Sequence, residues 1–148
     1  MKTILASSLL SISLSLSAIN AQAGASSNRQ LVLDFVELAF VEKQLYEAFD
    51  RYVAPDYVQH NPDAPDGAEA AVTALGRFQQ QFPLFIYEVK RVASENDIVF
   101  LHVHGKISPE DTGVAIVDIF RVEKGRIVEH WDVIQSVPTE SISQHPMF

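Results

Sequence analysis

The order of its periodic segments predicts an α+β fold for this chain of 148 residues. Apolar residues first recur at helical spacing, as at Leu31, Phe35 and Leu38. After Pro83 the period changes, and four segments alternate apolar and polar residues as half-buried strands do. Helices followed by a run of antiparallel strands are typical of an α+β domain, in which the helices cover one face of a curved sheet.

Two helices are predicted before the first proline-rich segment. Asn28 is a suitable N-cap for a helix from Arg29 to about Lys43, because its short polar side chain can accept a hydrogen bond from a free backbone N–H of the first turn. A second helix follows at once, and its apolar positions are Leu45, Ala48, Phe49 and Tyr52.

Prolines then delimit a short segment and a third helix. Pro55 ends the second helix, and residues 56–62 are expected to form an ordered connection. Asp66 can cap the third helix, which is predicted from Gly67 to Gln81 and ends before Pro83. The four strands that follow are predicted at Phe85–Ala93, Asp97–Ile107, Gly113–Val122 and Arg126–Gln135.

The first 23 residues have the pattern of a secretory signal peptide. Lys2 precedes an apolar run from Ile4 to Ile19, and residues 21–23 read Ala-Gln-Ala, which is an A-x-A cleavage site. Cleavage is therefore predicted after Ala23, which leaves residues 24–148 as one domain in the periplasm or outside the cell. A membrane anchor is the alternative, but the run is short for a bilayer span and contains many serines.

Charge and cysteine content exclude several classes of function. The chain has a formal net charge of −8, and Lys2 is the only charged residue before the predicted cleavage site. An acidic surface disfavours nucleic acids and anionic membranes as partners. The absence of cysteine excludes disulfides, a thiol nucleophile and a Cys-based zinc site.

A hairpin near the C-terminus predicts which side chains share a face of the sheet. Lys124-Gly125 is suited to a two-residue loop, since Gly adopts positive φ readily. That loop places Glu123 opposite Arg126 and, by regular pairing, Asp118 opposite Trp131. One face is then expected to carry Val114, Ile116, Asp118, Phe120, Val122, Ile127, Glu129, Trp131, Val133 and Gln135. The other is expected to carry Val117, Ile119, Arg121, Val128, His130, Asp132 and Ile134.

The preceding strand contributes two histidines to the predicted site. His102 and His104 lie two residues apart and therefore point to the same side of the strand. If that side is the one that carries Asp118, a cavity holds the aspartate, both histidines and aromatic walls. His60 can then close its rim from the connection between the helices.

A carboxylate in such a cavity has two readings. Asp118 can remove a proton from a carbon next to a carbonyl while a neighbouring histidine stabilises the enolate oxygen. It can equally belong to a structural hydrogen-bond network. A metal site of His102, His104 and Asp118 is a further alternative, because two histidines and a carboxylate are a known ligand set.

Several segments of the sequence carry a family resemblance. They are the block from Asp118 to Gln135, Tyr57-Val-Gln-His-Asn-Pro62 followed by Gly67, the first helix, His102-Val-His104 and the closing Met147-Phe148. Together they resemble the SnoaL-like polyketide cyclases of the nuclear-transport-factor-2-like superfamily. The resemblance implies a cone-shaped barrel, in which three helices pack on a strongly curved, mostly antiparallel sheet around a pocket.

The resemblance also implies a chemistry. In the characterised cyclases an aspartate acts as general acid and base in an aldol ring closure, a histidine one strand earlier assists it, and no cofactor or metal is used. The matching positions here are Asp118 and His104. His102 departs from the family, which has an amide at that place, and the signal peptide is a second departure. The superfamily also contains dehydratases, isomerases and binding modules, so the fold alone does not assign the activity.

The sequence therefore predicts an exported, cofactor-free acid/base enzyme that acts on a small hydrophobic carbonyl compound by aldol-type cyclisation, isomerisation or hydration. The predicted catalytic residues are Asp118, His104 and His102, and the predicted ligand-binding residues are His60, Phe120, Trp131 and Gln135. A non-catalytic periplasmic module that binds a small ligand or serves in assembly is the alternative. A homodimer is expected through the apolar side chains of the second face.

Overall fold

The computed structural model describes residues 24–148, so the predicted signal peptide lies outside the described residues. Helix α1 covers residues 24–36 and continues as a π-helical turn, Glu37–Val41. The remaining elements are α2 (Leu45–Tyr52), β1 (Val53–Gln59), α3 (Ala68–Gln81), β2 (Ile86–Glu95), β3 (Ile98–Lys106), β4 (Val114–Glu123) and β5 (Arg126–Ser136). In the described part of the chain, no helix is long and apolar enough to span a membrane.

The predicted α+β class is confirmed, and the helices cover one face of a single strongly curved sheet. The strand order is β1-β5-β4-β3-β2, in which β1 is parallel to β5 and the other neighbours are antiparallel. The inner face of the sheet is the one that packs on the helices, and the outer face is the opposite one. The core lies between the inner face and the helices, with Val32, Phe35, Leu45 and Phe49 meeting Val99, Leu101, Val103, Phe120 and Ile127.

Helix α1 begins earlier than predicted, because Ala25 is buried and the residues before Asn28 are already helical. Asn28 is therefore not an N-cap. Its side-chain nitrogen donates to the carbonyl of Asn96 at 3.3 Å and ties the helix to the turn between β2 and β3. The π-helical turn at the other end buries Ala39 and stacks Phe40 on Tyr87, with 4.5 Å between ring centroids.

The connection predicted after the second helix contains a fifth strand, β1, which the sequence pattern did not indicate. Pro55 lies within it, and this is tolerated because β1 is an edge strand and its pairing with β5 is irregular between Val53 and Val58. The strand pairs with β5, where Gln59 lies opposite His130. The last residues of β1 therefore lie beside the middle of β5 in the C-terminal hairpin.

Asp66 does not cap the third helix as expected. The N-cap is Gly67, at φ 88°, without a side-chain bond. The Asp66 carboxylate instead accepts the backbone N–H groups of Gln59 and Gly67, both at 2.9 Å, and these bonds hold its pKa below the usual value. Asp66 therefore closes the loop between β1 and α3 on itself.

The hairpin loop between β4 and β5 is the one predicted, but the register beyond it is not. Lys124 and Gly125 both have positive φ, and Glu123 lies opposite Arg126. A β-bulge then inserts Val128, so that Arg121 lies opposite Glu129. One extra residue reverses the direction of every later side chain. His130 and Asp132 consequently lie on the inner face, whereas Glu129, Trp131 and Gln135 lie on the outer face, opposite to the prediction.

The assumption that His102 and His104 on β3 share a face with Asp118 is also wrong. Leu101 lies opposite Asp118, and His102 lies opposite Val117. Paired residues share a face, so the inward positions of β3 are Val99, Leu101 and Val103, which are completely buried. His102 and His104 point to the outer face, away from Asp118.

Candidate functional site

Asp118 lies at the centre of the inner face and is only 6% exposed, the one buried charged residue in the described part of the chain. The Tyr87 hydroxyl donates to its Oδ2 at 2.5 Å, and His130 Nε2 lies 3.0 Å from its Oδ1. Both oxygens therefore have a polar partner, as a carboxylate removed from water requires. The bulge at Val128 is what places His130 in this position.

His130 is held on three sides. Its Nδ1 lies 3.0 Å from Oε1 of Gln59, which is its neighbour across the pairing of β1 and β5. Its ring packs on Phe120 with 4.9 Å between centroids, and the backbone N–H of His60 donates to its carbonyl at 2.9 Å. The imidazole consequently connects β4, β5 and β1.

A second carboxylate, Asp132, lies directly across the strand pair from Asp118. The side-chain amide of Asn61 donates to both Asp132 oxygens, at 2.8 and 2.7 Å. Among the described residues, no lysine or arginine contacts Asp118, His130 or Asp132. The groups of the site that can form ion pairs are therefore two acids and one imidazole, and their net charge is negative.

Two tyrosines complete the polar lining. Burial, and then the charge of Asp118, raise the pKa of Tyr57 and of Tyr87 well above 10.0, so both phenols keep their hydrogens at neutral pH. Tyr87 uses its hydrogen on Asp118. The oxygen of Tyr57 accepts a bond from Nε2 of Gln59 at 2.9 Å, and its own hydrogen has no acceptor among the described residues. Tyr57 therefore offers a free donor beside the two acids.

Aromatic rings form the walls around these groups. Phe35 packs edge-on against Phe120 at 6.0 Å, and Phe40 stacks on Tyr87. A groove of about 430 Å³ between α1 and β2 reaches the side of Tyr87, and another concavity of about 590 Å³ lies at the start of α3. Neither concavity is lined by Asp118 or His130. The groove between α1 and β2 therefore meets the site only through Tyr87, which bonds Asp118.

Asp118, His130 and Asp132 are also the described residues that can together approach a metal ion. One ligand atom from each lies within 4.8 Å of the other two. Carboxylate and imidazole donors suit several divalent cations. His130 Nε2 already lies against Asp118, so a cation can enter only by displacing the hydrogen bond between them. The alternative set of His102, His104 and Asp118 is not assembled, because the histidines lie on the other face.

His102 and His104 belong to a separate arrangement on the outer face. His102 Nδ1 lies 3.0 Å from Nη1 of Arg91, and His104 Nε2 lies 2.8 Å from the carbonyl of Thr112. Both rings stack on Phe148, with centroids 5.3 and 4.2 Å away. They are therefore wrong as direct partners of Asp118.

The predicted ligand-binding residues are divided between the faces. Phe120 is buried beside His130 on the inner face, as expected. Trp131 lies on the outer face, where His60 stacks on it at 4.4 Å and bonds Glu129 at 3.0 Å. Gln135 is exposed on the same side. His60 therefore packs on the outer face of the sheet and does not line the interior.

Six residues of the site were not predicted as such from the sequence, namely Tyr57, Gln59, Asn61, Tyr87, His130 and Asp132. One signal could have found the last two. In the unbulged register, Glu129 faces Phe120, whereas in the observed register it faces Arg121, and Arg121 bonds it at 2.5 Å. Opposite charges across a strand pair favour that register. The charge pattern of the hairpin therefore contained evidence for a bulge.

Comparison with known proteins agrees with this architecture. A family model described as SnoaL-like polyketide cyclase matches residues 30–141. Among curated proteins, no significant match is found.

Solved structures give similar folds. A SnoaL-like polyketide cyclase structure from Jannaschia sp. CCS1 is 18% identical with a TM-score of 0.63, covering 75% of this chain and 87% of that one. A polyketide cyclase structure from Acidithiobacillus ferrooxidans is 18% identical with a TM-score of 0.61, covering 73% and 87%. AclR from Streptomyces galilaeus, described as a hydroxylase, is 26% identical with a TM-score of 0.60, covering 75% and 90%.

The family match extends from within α1 to beyond β5, so it includes every strand and every residue of the candidate site. The similarity of the solved structures supports the same fold. The chain therefore belongs to the SnoaL-like polyketide cyclase family.

Proposed function

We propose that this protein is an acid/base enzyme that acts on a small, neutral, largely hydrophobic carbonyl compound. The observation that carries the proposal is the contact between Asp118 and His130, a carboxylate and an imidazole at 3.0 Å inside an aromatic-walled interior. His130 takes the role that the sequence had assigned to His104 and His102. The family's cyclase description supports a reaction of this type.

The proposed reaction begins with a proton transfer. A carboxylate oxygen of Asp118 removes a proton from the carbon next to a carbonyl, and the electron pair of the C–H bond moves to the carbonyl oxygen as an enolate. In this proposal the free hydrogen of Tyr57 bonds the enolate oxygen. The enolate carbon then takes a proton back, which completes an isomerisation, or attacks a second carbonyl, which completes an aldol-type cyclisation.

Charge narrows the class of substrate. Asp118 and Asp132 share the inner face without a contact from lysine or arginine in the described chain. Two acids and one imidazole leave the site with a net negative charge even when the imidazole carries a proton, and Coulomb repulsion therefore disfavours an anionic substrate. The substrate is therefore a neutral carbonyl compound, and a hydroxyl on it can donate to Asp132.

Proton–deuteron exchange into a panel of cyclic and aromatic ketones, followed by NMR, tests the proposal. Asp118→Asn is expected to lower the exchange rate by about 100-fold or more, the usual size of a general-base contribution. Asp56→Asn is the matched control, because Asp56 is exposed on β1 and away from the inner face. Exchange that is equally fast in Asp118→Asn would refute the assignment of the base.

A binding module of the same fold is the second candidate. It is favoured by one observation, namely that both oxygens of Asp118 already have partners, as in a structural network. A binder would retain a small apolar ligand through purification without exchanging its protons. Native mass spectrometry of the intact protein distinguishes the two, since a stoichiometric bound mass together with an inactive ketone panel supports the binder.

Export is also part of the proposal and rests on the leader at residues 1–23. Mass spectrometry of the protein recovered from the periplasm or the medium is expected to give a chain that begins at Gly24. A full-length chain that stays inside the cell would contradict it.

A further inference from the structure

We propose that Gln59 is a positioning residue, which fixes the hydrogen of the His130 ring on Nδ1 and so leaves Nε2 as the single nitrogen that exchanges a proton with Asp118. The inference rests on the proposed function, because it concerns the same acid/base pair. Its structural part, the identity of the protonated nitrogen, can be measured without any substrate.

The orientation of the Gln59 amide follows from two neighbours. Its Oε1 lies 3.0 Å from the backbone N–H of Asn61, and its Nε2 lies 2.9 Å from the oxygen of Tyr57. A backbone N–H can only donate, so the atom facing it must be the amide oxygen. A flipped amide would set an NH₂ group against that N–H.

The same oxygen lies 3.0 Å from Nδ1 of His130. Since Oε1 can only accept, Nδ1 must carry a hydrogen in this hydrogen bond. No other partner for Nδ1 is found in the described part of the chain. The tautomer of His130 is thus determined from β1, by a residue that does not touch Asp118.

The consequence appears at the other nitrogen. With Nδ1 protonated, a neutral ring has its lone pair on Nε2, which lies 3.0 Å from Oδ1 of Asp118. Tyr87 donates to the remaining oxygen of Asp118. The lone pair of Nε2 thus faces a carboxylate oxygen at hydrogen-bond distance, and one proton must bridge the two atoms.

The backbone of Gln59 is anchored independently of its side chain. Its N–H donates to Asp66 at 2.9 Å, and the next residue, His60, donates its N–H to the carbonyl of His130. Replacement of the side chain should therefore leave β1 paired with β5. The other groups of the site are Asp118, Asp132, Tyr57, Tyr87 and Phe120, and no hydrogen bond from any of them to Nδ1 is found in the described part of the chain.

The test is long-range ¹H–¹⁵N NMR of the full mature protein labelled at histidine. In the wild type, Nδ1 of His130 is expected to be protonated at neutral pH. Gln59→Glu keeps an acceptor oxygen and is expected to retain that state, whereas Gln59→Leu is expected to lose it and give a mixture of tautomers. Gln135→Leu is the matched control, because Gln135 is exposed on the outer face of the neighbouring strand.

The exchange assay adds a functional measurement. Gln59→Leu is expected to lower kcat about tenfold with little change in KM and to alter the pH profile, and Gln59→Glu should restore most of kcat. A wild-type ring that carries its hydrogen only on Nε2, or a Gln59→Leu ring identical to wild type, would overturn the inference. If the tautomer is as stated but no ketone exchanges, the proposed function fails and the positioning role stands. If exchange depends on Asp118 but not on Gln59, the positioning role alone fails.

Discussion

Asp118 and Asp132 lie directly opposite each other on β4 and β5, so two carboxylates occupy one cross-strand pair on the inner face. His130 contacts the first and Asn61 binds the second. Like charges at such positions are destabilising. Their retention in the interior is a cost in stability that fits a functional rather than a structural role.

Removal of one of these charges is expected to change the stability of the fold little while weakening the site. Asp132→Asn should change the free energy of unfolding by no more than about 1 kcal/mol, because relief of the like-charge pair is offset by the loss of one of the two contacts with Asn61. The same variant should slow exchange into hydroxylated ketones more than into plain ketones. Urea denaturation at neutral pH checks the first effect, with Asp56→Asn as the exposed control. A large loss of stability would show that Asp132 is a structural acceptor for Asn61.

The buried tyrosines should make the protein sensitive to alkali. Below pH 10 both the folded and the unfolded chain hold the protons of Tyr57 and Tyr87, since the ordinary pKa is 10.0 and burial raises it in the fold. Above pH 10 the unfolded chain loses these protons and the folded chain keeps them. The free energy of unfolding should then fall with pH by about 1.4 kcal/mol per unit for each tyrosine.

Tyr87→Phe removes one of these groups and should make that decline shallower, even though it also lowers stability at neutral pH by the lost bond to Asp118. Tyr46→Phe is the control, because Tyr46 is 62% exposed. Urea midpoints measured from about pH 8 to about pH 11 give both slopes. Equal slopes in wild type and Tyr87→Phe would contradict the buried, protonated state of Tyr87.

The stability contributed by Glu129 on the outer face should depend on pH in the opposite direction. The bond from His60, and then that from Arg121, hold the pKa of Glu129 below its usual value of 4.5. This contribution is present above the pKa of the unfolded chain and is lost as the pH falls through the folded value. Glu129→Gln should therefore cost roughly 0.5–1 kcal/mol at neutral pH, as a partly exposed pair does, and little in acid. A cost that is the same at both pH values would exclude the ion pair as its source.

The expected homodimer stays a prediction and has its own test. The outer face exposes Val133 at 64% and Phe100 and Val117 at 37% each. A charged residue in the middle of an apolar interface prevents close packing, so Val133→Lys should give a monomer in light scattering if this face joins two copies. A wild-type monomer, or a Val133→Lys dimer, would refute this arrangement. Val41→Lys is the control on the helical side, where Val41 is also exposed.

The class of fold and the ends of the strands were predictable because they depend on local signals. The change of period after Pro83 marked the helices and strands, and Lys124-Gly125 marked the hairpin with its first two pairs. The strand β1 was not recognised, since Pro55 and the polar residues after it conceal the alternation. Its pairing with β5 is a contact between distant parts of the chain, which no local pattern specifies.

The candidate site was predictable only in part, for the same physical reason. Asp118 and Phe120 were correctly placed inward because β4 is regular on both sides of them. His104 was predicted on the inner face and lies on the outer one, and the reverse holds for His130. Each prediction depended on the strand register, and a shift of one residue moves every side chain to the opposite face. The role of Asp118 as a base remains a prediction, which the exchange assay tests.

The bulge at Val128 also bears on how such a site can arise. In a regular hairpin, a series of separate substitutions would be needed to replace an inward tryptophan by an inward histidine and aspartate. Here one bulged residue gives the same result, because it reverses the direction of every later side chain of β5. A hairpin whose inner face carries Glu129 and Trp131 and one whose inner face carries His130 and Asp132 would thus differ by a single inserted residue.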